Sequence, residues 1–334
     1  MTDKILLAHG SGGSQSHEIV NNIILSKLGN SVLNRLDDSA ILEINGKIAF
    51  TTDSHVVQPM FFPGGDIGRL SVCGTINDLS VMGATPLYLS LAFIIEEGLP
   101  IKDLESVIHS IKQAADEAKV KIVTGDTKVV NRGNADKLFI NTSGIGVIPE
   151  GRNISGHNAG PGNKLIISGT IGDHGITVLS KREGIGFETE LKSDCAPLNK
   201  MIAEIMKVSS KINCMRDPTR GGLSSTLNEI AGQSGVSIRI EEKNIPVRQE
   251  VAAACDMLGL DPLYIANEGK VVVVVEEEDA EAVLTQMKKH KYGKNASIIG
   301  EVTEKHAVKV TLKTLIGTSR IVDMLVGEPL PRIC

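Results

Sequence analysis

A two-domain mixed α/β (α+β) fold is predicted by three observations. The chain has 334 residues, both halves alternate strand-like and helix-like periodicity, and a Gly-, Asn- and Pro-rich run, GRNISGHNAGPGN at 151–163, separates the halves. The expected organisation is an N-terminal domain over 1–155, a C-terminal domain over 156–326 and a flexible tail over 327–334. In the first half Ile19, Ile23 and Ile24 recur at helical spacing, and residues 39–44 and 47–53 read as two strands around the turn Asn45-Gly46. Residues 68–83 read as a helix and 87–95 as a strand. Leu104, Val107, Ile108 and Ile111 share one face of a helix over 102–119, and 138–148 returns to strand. The second half opens with a strand at 164–168, a GDHG turn at 172–175 and a short helix. Helices are expected at 198–209, 221–234, 247–258 and 278–290, with strands at 236–240, 270–275 and 296–302. Pro329 and Pro331 forbid regular structure near the end and predict an extended, untethered tail.

Composition removes several function classes. Apolar residues are 41% and charged residues 22%, as in soluble globular chains, which excludes a disordered protein. A net charge of −5, no Trp and 3% aromatics offer neither a broad phosphate-binding surface nor a base-stacking platform, so no nucleic-acid partner is expected. The longest aliphatic run, Val271 to Val275, is far below the ~20 residues of a membrane span, so no membrane role is expected. The opening MTDKILLAHG has no signal-peptide pattern, which predicts a cytoplasmic protein. Five scattered cysteines without CxxC spacing read as reduced thiols: Cys73, Cys195, Cys214 and Cys255 for packing, and Cys334 as an accessible thiol on the tail.

The chemistry is expected where aspartates punctuate apolar segments: Asp37-Asp38, Asp53 in TTDSH, Asp78 in TINDLSVMG, Asp126 in TGDTK and Asp217 in RDPTRGGL. Each alone is explained as a cap or turn former; converging carboxylates, however, repel unless a cation compensates, and the set points to Mg²⁺ with nucleotide phosphates. His9 to Ser14, HGSGGS, is a glycine-rich turn whose amides could cradle phosphate or simply lead into a helix. Lys128 follows Asp126 by two residues and falls on the same side of an extended segment. Glu268 in ANEGK stands at the mouth of a buried strand. His17, His55, His157 and His174 have no metal-ligand spacing and are assigned structural or surface roles.

HGSGG, DDSAI, TTDSH, INDLSVMGA, TGDTKVV, DPTRGGL, ANEGK and the final PRIC, in this order, resemble the HypE family of hydrogenase-maturation proteins from end to end. The wider superfamily holds aminoimidazole ribonucleotide synthetase, selenophosphate synthetase and thiamin-monophosphate kinase. The resemblance implies an aminoimidazole ribonucleotide synthetase-like fold, a homodimer whose N-terminal domains pair their sheets, and ATP with Mg²⁺. An activity is implied as well. In that activity the carbamoyltransferase HypF loads a carbamoyl group on Cys334, ATP drives dehydration to an S-cyanate, and the HypC–HypD complex accepts the cyanide. By the same resemblance Asp38, Asp53, Asp78 and Asp217 are metal carboxylates, Asp126, His9, Gly12 and Gly13 are nucleotide-binding candidates, and Lys128 and Glu268 take the amide proton. The alternatives are a selenophosphate synthetase-like enzyme or a passive carrier. His9 and Ser11 in place of a reactive Cys disfavour the first, and the aspartate set disfavours the second.

Overall fold

The computed structural model describes every residue except 1–2, 12, 185–190, 306, 328–329 and 331. In chain order the first half contains α1 (Ser14–Ile19) and α2 (Ser26–Leu28), joined by a π-helical turn, then β1 (Lys47–His55). The short pair β2 (Phe61–Phe62) and β3 (Gly65–Asp66) leads into α3 (Ile67–Val81), followed by β4 (Thr85–Glu96), α4 (Ile101–Ala118), β5 (Lys121–Val130) and β6 (Leu138–Ile148). The longer strands form one sheet in the order β1-β6-β4-β5. Parallel β4 and β5 require a crossover, and α4 supplies it, burying Leu104, Val107, Ile108 and Ile111 on one face. Helix α3 begins where the Asp66 carboxylate accepts the Arg69 N–H at 2.8 Å, and almost its entire circumference is buried, because it lies between this sheet and the second half.

The second half contains β7 (Lys164–Ile167), α5 (Asp173–Glu183), α6 (Asn199–Val208), β8 (Ile212–Arg216), α7 (Gly222–Ser234) and β9 (Val236–Glu241). It continues through α8 (Gln249–Leu258), β10 (Val272–Val275), α9 (Glu277–Lys289), β11 (Ser297–Lys305), β12 (Val310–Lys313) and β13 (Ser319–Ile321). Its seven-stranded sheet runs β13-β12-β9-β11-β7-β10-β8. The valines of β10 are all fully buried, so both faces of that sheet are covered at this strand, next to the β8 edge. Both halves are thus mixed α/β. Strand β8, the pairs β2/β3 and β12/β13, and the start of α5 inside the GDHG turn are features the periodicity does not announce.

One expected element is corrected. Residues 39–44 form no strand, and β1 pairs instead with β6 in an unbroken antiparallel register from Lys47↔Ile148 to His55↔Ile140. The Asn45-Gly46 signal is local, whereas β6 offers a long alternating partner and Ile41 stays 73% exposed. The outer face of the four-stranded sheet is uncovered: Ile48, Phe50 and Ile94 are 52%, 68% and 45% exposed. These exposed apolar side chains lie together on one sheet face.

Candidate active site

The period of two along β1 points Thr51, Asp53 and His55 inward at α3. Glycine at position 74 of α3 lets Asp53 and His55 approach the helix closely, since a Cβ there would come within 3.1 Å of the Asp53 carboxylate and the His55 ring and push them back. One turn later on the same helix face stands Asp78, whose carboxylate accepts the Thr51 hydroxyl at 3.0 Å. Asp217 follows β8, and its field reaches Asp78. Burial, and then the charges of Asp217 and Asp53, push Asp78 up to about 7. Burial also raises Asp217, to about 6, with the Asp53 charge adding to it. Burial lowers the His55 pKa; the Asp53 carboxylate, 3.4 Å away, opposes this and the Arg220 charge adds to it.

Glu268 completes this group from the second half. It is 4% exposed, its Oε1 has no hydrogen-bond partner, and its backbone N–H donates to Asp194 Oδ1 at 3.1 Å. Burial first, then the charges of Asp217, Asp53 and Asp194, raise its pKa well above the usual carboxylate range. Asn77 fastens the two halves here: its amide N–H donates to the carbonyls of Ala196 and Glu268, and its oxygen accepts the Leu198 N–H at 2.8 Å. Two residues beyond Glu268, Lys270 pairs with buried Asp194 at 3.0 Å. Asp194 remains below its ordinary value although burial pushes it up, because Lys270 and His174 outweigh that penalty.

The tail is tethered, contrary to the expectation of a free end. The Val56 N–H donates to the Cys334 carbonyl at 3.2 Å and the Gln58 N–H to the Arg332 carbonyl at 3.1 Å, so alternate residues continue the β1 edge. His174, fully buried, contacts the Ile333 carbonyl through Nε2 at 2.9 Å and the Ser193 hydroxyl through Nδ1 at 2.8 Å. Arg182 donates to the Gln58 and Arg332 carbonyls, and Arg332 donates to Val56 and Asp136. Ile333 is 3% exposed in the core of the first half. Cys334 lines a cavity of about 420 Å³ with Ser54, Arg220 and Tyr264. Asp78 and Asp217 line a second, of about 450 Å³, with Thr51, Met215 and Arg216.

The remaining expected residues lie on the opposite edge of the sheet. His9, Asp38, Asp126 and Lys128 border a groove of about 440 Å³ along β5. Lys128 and Asp126 pair at 3.1 Å on one side of the strand, both well exposed. His9 accepts the Leu6 N–H through Nδ1, Gly13 caps α1, and Gly12 lies outside the described residues. Between β5 and β1 are three strand spacings, about 14 Å, so one chain does not bring Lys128 or Asp38 to Asp53. Among the described residues no three His, Cys, Asp or Glu side chains are close enough to hold a metal unaided. Their chemistry nevertheless suits a hard cation: oxygen donors that raise one another's pKa are relieved by divalent charge.

Sequence reasoning gave His174 a structural or surface role without its contact to the tail, and missed Asn77 and Arg220; Arg220 was legible only as a letter of DPTRGGL. Cys73, Cys195, Cys214 and Cys255 are all buried, as expected of packing thiols.

The AIR synthase related protein family matches in two parts, its N-terminal domain over residues 36–148 and its C-terminal domain over 160–313. The carbamoyl dehydratase HypE of Azotobacter vinelandii is 49% identical over 329 residues, covering 98% of this chain and 96% of that protein. A crystal structure of the hydrogenase maturation protein HypE in complex with ATP superposes with a TM-score of 0.95 at 48% identity, covering 98% of this chain and 99% of that one. A HypE–HypF complex superposes with a TM-score of 0.82 at 52% identity, covering 92% and 99%. With its motifs, two-part fold and near full-length likeness in agreement, the chain belongs to the HypE family of hydrogenase-maturation carbamoyl dehydratases.

Proposed function

We propose that the chain uses ATP to dehydrate an S-carboxamide carried on its own Cys334 to an S-cyanate, the source of the cyanide ligand of [NiFe]-hydrogenase iron. The observation that carries this reading is the docked tail: Cys334 lines a cavity with Ser54, the sequence neighbour of Asp53, and with Arg220, three residues after Asp217. An amide oxygen is a poor leaving group. ATP therefore phosphorylates it, and loss of phosphate with removal of the nitrogen proton leaves the nitrile. Glu268, desolvated and unpartnered, is the base; a carboxylate with a raised pKa accepts a proton strongly once ionised. Asp53, Asp78 and Asp217 are the residues that would hold Mg²⁺ together with phosphate oxygens, which would neutralise charge on the transferred group. The ATP-bound relative supports nucleotide binding at this fold.

A homodimer supplies what one chain separates. Packing two open sheet faces about a two-fold axis covers Ile48, Phe50 and Ile94 and lays the β5 edge of one copy along the β1 edge of the other. The partner copy's Lys128, Asp126 and Asp38 then meet this copy's Asp53 and Glu268. HypF as the carbamoyl donor is supported by the solved complex of relatives, and the HypC–HypD complex as the acceptor by the resemblance. Intact mass spectrometry tests the reading after incubation with HypF, carbamoyl phosphate, ATP and Mg²⁺. The expected result is a carbamoyl adduct on Cys334 that loses one water only when ATP is present; an adduct that persists with ATP would refute it.

A further inference from the structure

Arg220 is the exception among the cations around this site. Of the arginines lining the two cavities, Arg216 is committed to Glu229 and Arg332 to Asp136 and Val56. Lys270 is committed to Asp194. Arg220 stands three residues after Asp217 and forms no hydrogen bond or ion pair among the described residues. Its position is set by the backbone that follows it. Gly221 and Gly222 both take positive φ, 74° and 60°, and a Cβ at Gly222 would come within 2.6 Å of the Leu263 and Ile265 carbonyls. The Thr219 N–H donates to the Asp217 carbonyl and the Gly222 N–H to the Thr219 carbonyl, which fixes the turn that presents Arg220. The guanidinium therefore faces the cavity that also holds Cys334, close enough to His55 to influence its titration.

We propose that Arg220 is a catalytic residue of the dehydration, binding the γ-phosphoryl group of ATP while it passes to the carboxamide oxygen on Cys334. The inference rests on the function proposed above and adds a group that nothing so far required. In the first step the carboxamide oxygen forms a bond to the γ-phosphorus as the bond to the β-phosphate oxygen breaks; ADP leaves and one nitrogen proton goes to the base. In the second the carbon–oxygen bond breaks, phosphate departs with the remaining nitrogen proton, and the thiocyanate is left. Negative charge accumulates on the transferred group in the first step and on the departing phosphate in the second. A planar guanidinium can donate two parallel N–H bonds to those oxygens, which a lysine ammonium cannot reproduce.

The test uses full-length carbamoylated chain. With saturating Mg-ATP, R220A should lose water roughly 10³-fold more slowly than wild type, as expected for an arginine serving phosphoryl transfer. R220K should recover only part of the rate. ATP affinity by calorimetry should change little, whereas ADP with aluminium fluoride, a mimic of the transferring group, should bind wild type tightly and R220A weakly. R220A dehydrating at the wild-type rate, or holding the fluoride complex as tightly as wild type, would overturn the proposal. Should the alanine variant fail to fold, R220K with an unchanged unfolding midpoint decides the question through the same two measurements. A wild-type control that keeps its water brings down the dehydration reading and the role of Arg220 with it; a control that dehydrates beside an unimpaired variant brings down the second alone.

Discussion

Helix α3 carries two carboxylate sites of opposite character, one near each end. Near its start Arg69 donates to Glu117 at 3.0 Å and to the Cys195 carbonyl, while Lys291 and the Tyr292 hydroxyl also reach Glu117. Burial pushes Glu117 up, but those three donors prevail and hold it at about 2. Near the other end Asp78 has one neutral donor, Thr51, and two anionic neighbours, and rises to about 7. Nine residues of helix, about 13 Å, separate Arg69 from Asp78. The first site joins the two halves and satisfies itself. The second leaves its demand for positive charge open, and such a demand survives in a folded protein where an outside group meets it.

The largest effect comes from the unsatisfied site. Glu268→Gln keeps the shape but removes the proposed base, so dehydration of carbamoylated Cys334 should slow by about 10²- to 10⁴-fold with ATP affinity retained. Single-turnover mass spectrometry checks this, and wild-type turnover would remove Glu268 from the mechanism. Asp78→Asn should weaken Mg-ATP binding by about tenfold or more, since it deletes a charge that the bound cation would neutralise. Calorimetry with Mg-ATP would show an unchanged affinity if Asp78 had only a structural role.

Much of this comparison was legible in the sequence, and the rest was hidden for identifiable reasons. Helix α4 and strand β6 declare themselves because each buries residues at one period. The aspartate series declares itself as well, but its division into a β1 group and a β5 group does not. Strand order is set by pairing between distant segments, and nothing near Asp126 or Lys128 records that β5 closes the far edge of the sheet. The tail misleads in the opposite direction. Pro329 and Pro331 exclude helix and ladder, yet Arg332, Ile333 and Cys334 find backbone and side-chain partners spread from Val56 to Arg182. Arg220 carries no periodic signal, because its role depends on a turn fixed by two glycines.

The self-satisfied site predicts a moderate effect on folding. Arg69→Ala removes donors to Glu117 and Cys195 at once and leaves a partly buried carboxylate short of charge, which should cost about 1–3 kcal/mol in urea denaturation. Mg-ATP affinity should hold, since Arg69 touches none of the Asp78 group. A stability equal to wild type would mean that Lys291 and Tyr292 suffice to join the two halves.

The smallest effect is the most discriminating, because the two sites should respond to pH with opposite signs. Glu117 has a folded pKa of about 2, below its ordinary 4.5, so its contribution is complete above 4.5 and fades as pH falls toward 2. Asp78 has a folded pKa of about 7, above its ordinary 3.8, so its contribution is complete below 3.8 and is lost as pH rises through about 7. In urea midpoints without nucleotide, Glu117→Gln should therefore differ from wild type at neutral pH and converge with it on acidification. Asp78→Asn should match wild type near pH 4 and become the more stable of the two above pH 7, where it alone is spared repulsion from Asp53 and Asp217. Saturating Mg-ATP should reverse the second difference, since wild type then binds the cation that its charge was waiting for. Parallel pH profiles for the two variants would show that both carboxylates are merely buried, and that the contrast along α3 carries no chemistry.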